Sequence, residues 1–236
     1  ASYLGVIAAL GAITLTAHPR RADSEAGALA QLHEGWKTVF DFLPSRSIIL
    51  LLSLVSLAGA PFGVLLPVVA ADRLGGGAHT LGFLMASAGV GATVGALWLA
   101  SRRSVLGLGG TIPAATLGFG AALCGLAFAP DEVSAMVLLA VVGAGLVLQF
   151  ASSNTILQSI VDDDKRGRVM SFFSMSYLGA SPVGGLIAGA VADRYGVQVT
   201  LLAMGVACIG GGVWFWRRLP AIREAIRPVY RRKGIL

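Results

Sequence analysis

Apolar residues run through this chain in stretches of about twenty, the length an α-helix needs to cross a bilayer core of about 30 Å at about 1.5 Å per residue. Five such stretches, approximately 47–71, 80–101, 106–129, 133–161 and 169–192, contain no Asp, Glu, Lys or Arg, and a sixth follows at 197–216. Each predicts a transmembrane helix. Residues 1–17 are also uncharged and lack an initiator Met; at about 25 Å of helix they are short for a span. No basic segment precedes them and no small-x-small cleavage signal follows, so they read as the end of a preceding span and not as a signal peptide.

The flanking segments carry a different period. Between Ser24 and Leu43 the apolar residues Leu29, Leu32, Trp36, Val39, Phe40 and Leu43 recur at three- and four-residue steps, with Gln31, Glu34, Lys37 and Asp41 opposite; this predicts an amphipathic helix lying in the membrane interface, ended by Pro44. In the tail, Ile222, Ile226 and Tyr230 repeat every four residues beside Arg223, Arg227, Arg231 and Arg232, a face suited to an anionic leaflet. The expected organisation is a truncated span at 1–17, a linker with the interfacial helix at 18–46, a six-helix bundle at 47–216 and a basic tail at 217–236.

Composition agrees with the pattern: the 236 residues are 56% hydrophobic and 13% charged, with a mean hydropathy of +0.78, outside the range of soluble domains. The net charge of +6 does not point to nucleic acid, because the basic residues punctuate apolar runs instead of gathering on one soluble face. All but two of the 18 Lys and Arg residues fall in one set of alternate loops and the tail; only Arg73 and Arg194 fall in the other. The positive-inside rule then predicts that six spans begin and end in the cytoplasm.

Candidate chemistry is sparse. His18, His33 and His79 are far apart and outside the spans, and no metal or cofactor motif is present. Cys124 and Cys208 lie within spans, where a small apolar role is expected. Asp162, Asp163 and Asp164, next to Lys165, Arg166 and Arg168, read as a solvated turn that opens the next helix. An enzyme would need polar catalytic groups within the spans, and charged residues and His are absent there. The backbone pattern says more. Gly91 and Gly95 form a G-x-x-x-G pair in the second span, Gly185 and Gly189 another in the fifth; each would let a neighbouring helix approach closely. Both pairs fall on the middle helix of a group of three, as a 3+3 inverted repeat requires. Pro61, Pro67 and Pro182 add bends.

Several segments carry a resemblance to a known family: Glu34-Gly35-Trp36, Leu66-Pro67-Val68, Gly89-Val90-Gly91-Ala92, and above all the run 154–196, which contains Arg166-Gly167-Arg168-Val169-Met170-Ser171 and Gly189-Ala190-Val191-Ala192-Asp193-Arg194-Tyr195-Gly196. In these the chain resembles the C-terminal half of a major facilitator superfamily transporter of the bacterial drug and siderophore exporter branch. The resemblance implies an all-α membrane protein, a six-helix bundle that is half of a twelve-helix fold, partnered by an N-terminal half and moving a small molecule across the bacterial inner membrane by alternating access, with proton antiport. On the spans the family turns toward its cavity, Phe62, Ser87, Gln149, Ser174 and Tyr177 lie near mid-depth as candidate substrate contacts. Asn154 and Gln158, with Arg166 and Arg168, lie lower and are candidates for a cytoplasmic gate. A permease-like or assembly subunit of a larger complex, without transport of its own, remains a second reading.

Overall fold

The computed structural model describes residues 37, 39–102 and 104–234; segment 1–17 and most of the 24–43 helix expected from the sequence lie outside them. Among the described residues six helical segments are long and apolar enough to cross a membrane. The first span is built in pieces: α1 (Leu43–Ala58), a short α2 (Phe62–Val68) and a π-helical turn at Val69–Arg73. The other five are single helices: α3 (Ala78–Ala100), α4 (Leu108–Leu126), α5 (Glu132–Ile160), α6 (Asp163–Tyr195) and α7 (Val197–Arg232).

Local chemistry sets the ends of these helices. Pro44 sits in the first turn of α1, where its missing N–H costs nothing. Asp131 caps α5, accepting from the Ser134 N–H at 2.8 Å, while the Asp131 N–H donates back to Ser134 Oγ at 3.4 Å. This reciprocal pair satisfies two donors that a helix start leaves open. Asp163 and Asp164 occupy the first turn of α6, where the helix dipole favours negative charge. A single residue, Gly196, separates α6 from α7 with φ at 86°, a conformation open to glycine and strained for other residues. In the first span Pro61 has no N–H to give, and the amide of Phe62 reaches back only to Gly59, so the helix breaks there.

The most extensive packing pairs are α3 with α5, α4 with α5 and α7, and α1 with α6 and α7, with smaller contacts such as α6 on α7 besides. Exchanging the first three spans with the last three leaves this set unchanged: second on fourth becomes fifth on first, third on fourth becomes sixth on first, and third on sixth maps to itself. The inverted repeat predicted from the sequence therefore appears in the contacts. Close approaches obey the same exchange. A Cβ on Gly91 would overlap the carbonyl of Ala140 on α5, one on Gly143 that of Ala88, and one on Gly184 of α6 that of Leu57 on α1.

Two faces remain uncovered within this bundle. Helix α6 exposes Met175, Leu178 and Leu186, the last at 78%, and α3 exposes Phe83, Val90 and Leu97. The interior is apolar around Phe119, Leu123, Cys208 and Phe215, with Cys124 and Cys208 both free. Helix α7 continues past Trp216 to Arg232, and this stretch differs from the tail expected from the sequence. Ile222, Ile226 and Tyr230 are buried against the protein instead of facing lipid. An apolar residue every fourth position fits either surface; polar anchors decide between them here. Tyr230 Oη lies 3.2 Å from Ser159 Oγ, and Lys233 Nζ donates to the carbonyls of Ser159 and Val161 at 3.0 and 2.8 Å. Arg232 lies 3.8 Å from Asp162. The extension is thereby fastened to the end of α5. At the other end of the bundle Arg73 donates to the Ala127 carbonyl.

Candidate functional site

Helix α5 carries its longest run of consecutive polar side chains in its second half, from Ser152 to Thr155, shortly after Gln149. Gln149 is 1% exposed, and Ser152 and Ser153 are fully buried. Gln149 Nε2 donates to Ser153 Oγ at 3.4 Å, but its Oε1 and Ser152 Oγ have no hydrogen-bond partner among the described residues. An underbonded amide in an apolar interior costs about 1–3 kcal/mol, which a purely structural core would avoid by using Leu or Met.

Beside it lies an aromatic cluster. The Phe150 ring centroid is 4.6 Å from that of Tyr177 and 5.2 Å from that of Phe173, both tilted by 51°. Ser56 Oγ donates to the Tyr177 carbonyl at 2.5 Å, so α1, α5 and α6 meet around these rings. At about 1.5 Å of rise per residue, Ser56, Phe150 and Tyr177 all stand roughly 15–20 Å in from the basic end of the bundle, where the loops gather Lys and Arg. That depth is near the middle of a bilayer.

The residues expected from the sequence divide into groups. Gln149 and Tyr177 belong to this region. Ser174 is exposed on α6, one turn from Tyr177. Phe62 turns instead toward α4, its ring edge-on to the buried Phe119 at 6.4 Å. Ser87, half-buried on α3, donates to the Phe83 carbonyl at 2.8 Å within its own helix. Lower on α5, Gln158 Nε2 donates to Asn154 Oδ1 at 3.0 Å. Arg166 pairs with Asp163 at 2.5 Å in the first turn of α6, and Arg168 is half-buried two residues on.

Of the glycine pairs, Gly91 and Gly95 face α5, with a Cβ on Gly95 falling 3.1 Å from the Ala144 carbonyl oxygen. Gly185 would meet only Val64, at 3.7 Å, and Gly189 nothing within 4 Å. On α6 the close approach is at Gly184. Phe150, Phe173, Ser56 and Ser152 are functional candidates that the sequence reading passed over. The juxtaposition of Gln149 with Phe150 in an apolar run is the one signal that could have drawn attention to the pair.

Over residues 1–231 the chain matches a family described as the transmembrane secretion effector. It is similar to the multidrug efflux pump Tap of Mycolicibacterium fortuitum, 29% identical over 144 residues, covering 61% of this chain and 35% of that protein. To the multidrug efflux pump Tap of Mycobacterium tuberculosis (strain ATCC 25618 / H37Rv) it is 36% identical over 141 residues, covering 60% and 33%. The chain spans about a third of the length of these curated relatives. No solved structure matches it.

Proposed function

The chain belongs to the transmembrane secretion effector family of major facilitator superfamily transporters, and from that premise we propose that it forms one wall of an exporter of small amphipathic molecules. Transport proceeds by alternating access: this bundle and an N-terminal six-helix bundle rock about a midplane site that opens first to one side and then to the other. The observation that carries the reading is the buried, underbonded Gln149 next in sequence to Phe150, whose ring packs on Tyr177, so that one turn of α5 supplies both a hydrogen-bonding group and an aromatic surface. Such a combination takes a flat, apolar molecule with one polar group. The relatives named as multidrug efflux pumps support export as the direction.

The basic end faces the cytoplasm of a bacterium across its inner membrane, in keeping with the strong charge bias of the loops. Cysteines introduced as Ser104→Cys and Gly77→Cys test this: the first should be labelled only from the cytoplasm and the second only from outside, and the reverse pattern would refute it. Among the described residues, every carboxylate lies near a span's end or on the α7 extension, so proton coupling falls to carboxylates in the other half. Neutralising those should stop proton-driven export, and persistence of proton flux would disprove that assignment. For the substrate site, efflux of an amphipathic fluorescent dye from cells expressing the whole protein should fall about tenfold or more for Tyr177→Ala and Gln149→Ala, at unchanged protein level. Unchanged efflux in both variants would rule the site out.

A further inference from the structure

A separate pocket of about 580 Å³ lies at the basic end, lined mostly by α4, the turn before it and α7, with Ile48 of α1 and Ile156 of α5. This is within the range of built ligand sites, about 300–1,000 Å³. Its inner wall is apolar, formed by Ile112, Phe215, Ile222 and Ile226, and its mouth carries Arg223 and Arg227. Neither guanidinium makes an ion pair or hydrogen bond among the described residues. Glu224 is the one acidic residue at the pocket. The mouth also faces the start of α4. A Cβ on Gly110 would lie 3.5 Å from Arg223 Nη2, so this guanidinium sits over the first turn of that helix. There the Leu108 and Gly110 amides already donate to the Val105 and Gly107 carbonyls at 3.2 and 3.0 Å, so the two guanidinium groups carry the anion affinity of the mouth.

The pocket thus joins an apolar slot inside the bundle to a cationic rim at the level where the span emerges from hydrocarbon. Charge and polarity both match a single amphiphile of the membrane itself. We propose that this pocket binds one anionic phospholipid from the leaflet at the basic end. Its phosphate sits at Arg223 and Arg227, and the upper part of an acyl chain lies along Val105 and Leu106, the lining residues that remain accessible, and enters the slot in front of Ile222. A zwitterionic lipid would bring a third cation to a rim that already has two. A free phosphate would engage the arginines but leave Leu106, 43% exposed at the pocket, uncovered.

The test is native mass spectrometry of the full chain, released from detergent micelles holding equal amounts of phosphatidylglycerol and phosphatidylcholine with the same acyl chains. One phosphatidylglycerol per chain should be retained, in preference to phosphatidylcholine by roughly tenfold. Arg223→Gln with Arg227→Gln should abolish the preference. Arg217→Gln with Arg231→Gln removes the same charge from exposed positions outside the pocket and should leave it intact. Ile222→Trp, which fills the slot without altering charge, should displace the lipid, while millimolar inorganic phosphate should not. Circular dichroism establishes that each variant is folded. Equal loss in the two arginine pairs would overturn the proposal in favour of diffuse surface attraction. Undiminished retention in folded Ile222→Trp would show that the lipid sits elsewhere, and equal retention of both lipids throughout would show that the arginine rim does not select an anionic headgroup.

Discussion

Replacing Gly91 with Ala would drive a methyl group into the Ala140 carbonyl, and because the obstacle is backbone the two helices themselves must separate. We expect Gly91→Ala to cost about 1–3 kcal/mol, against less than about 0.5 kcal/mol for Gly189→Ala, measured as unfolding of the chain in mixed micelles. A comparable loss from both would contradict the packing described. The two residues look alike in the sequence, each one member of a G-x-x-x-G pair. Which glycine meets a neighbour depends on the rotation of its helix, and the first pair was legible only because its spacing happened to face α5. On α6 the contact falls one position away, at Gly184, a register that spacing cannot distinguish from Gly185. Gln149 was legible as a polar residue in an apolar run, but its missing partner was not, since that depends on what surrounds it. Gln149→Met should raise stability by about 1 kcal/mol, the penalty of an unpaired buried amide being removed, while dye efflux falls. A gain in both would argue that Gln149 is not a substrate contact.

At the level of the element, the six spans are legible because hydrocarbon demands long charge-free runs and the chain supplies six. The end of α7 is not, because an apolar row every four residues is equally suited to lipid and to protein. What settles its place are Tyr230 and Lys233, anchored to the carbonyl end of α5, where a cation also meets the negative pole of the helix. Lys233→Met should therefore loosen the short turn between α5 and α6. Amide exchange over 161–166 is expected to accelerate by roughly tenfold, corresponding to a loss of about 1–1.5 kcal/mol locally, with exchange in α3 unaffected. Unchanged rates in that turn would mean that the two hydrogen bonds contribute nothing to holding it.

For the whole molecule, the proposed architecture has a second bundle close on the bare apolar faces of α3 and α6, and substitutions there should then separate assembly from folding. Leu186→Lys, at a position 78% exposed, should leave the unfolding of this chain within about 0.5 kcal/mol of the parent yet reduce export by the whole protein. Loss of both together would place Leu186 in the fold instead. The inverted repeat holds in the larger contacts and fails elsewhere: α6 packs on α7 without a comparable contact between their counterparts α3 and α4, and α5 is one unbroken helix, whereas its counterpart, the first span, is divided at Pro61 and underwound at Val69–Arg73. To bend α5 would mean opening backbone hydrogen bonds in hydrocarbon, where nothing replaces them. The first span has already given those bonds up. It can act as a wrist between two forearms, changing its angle at little expense while its mirror image stays stiff, so that a symmetrical architecture acquires one preferred place to flex.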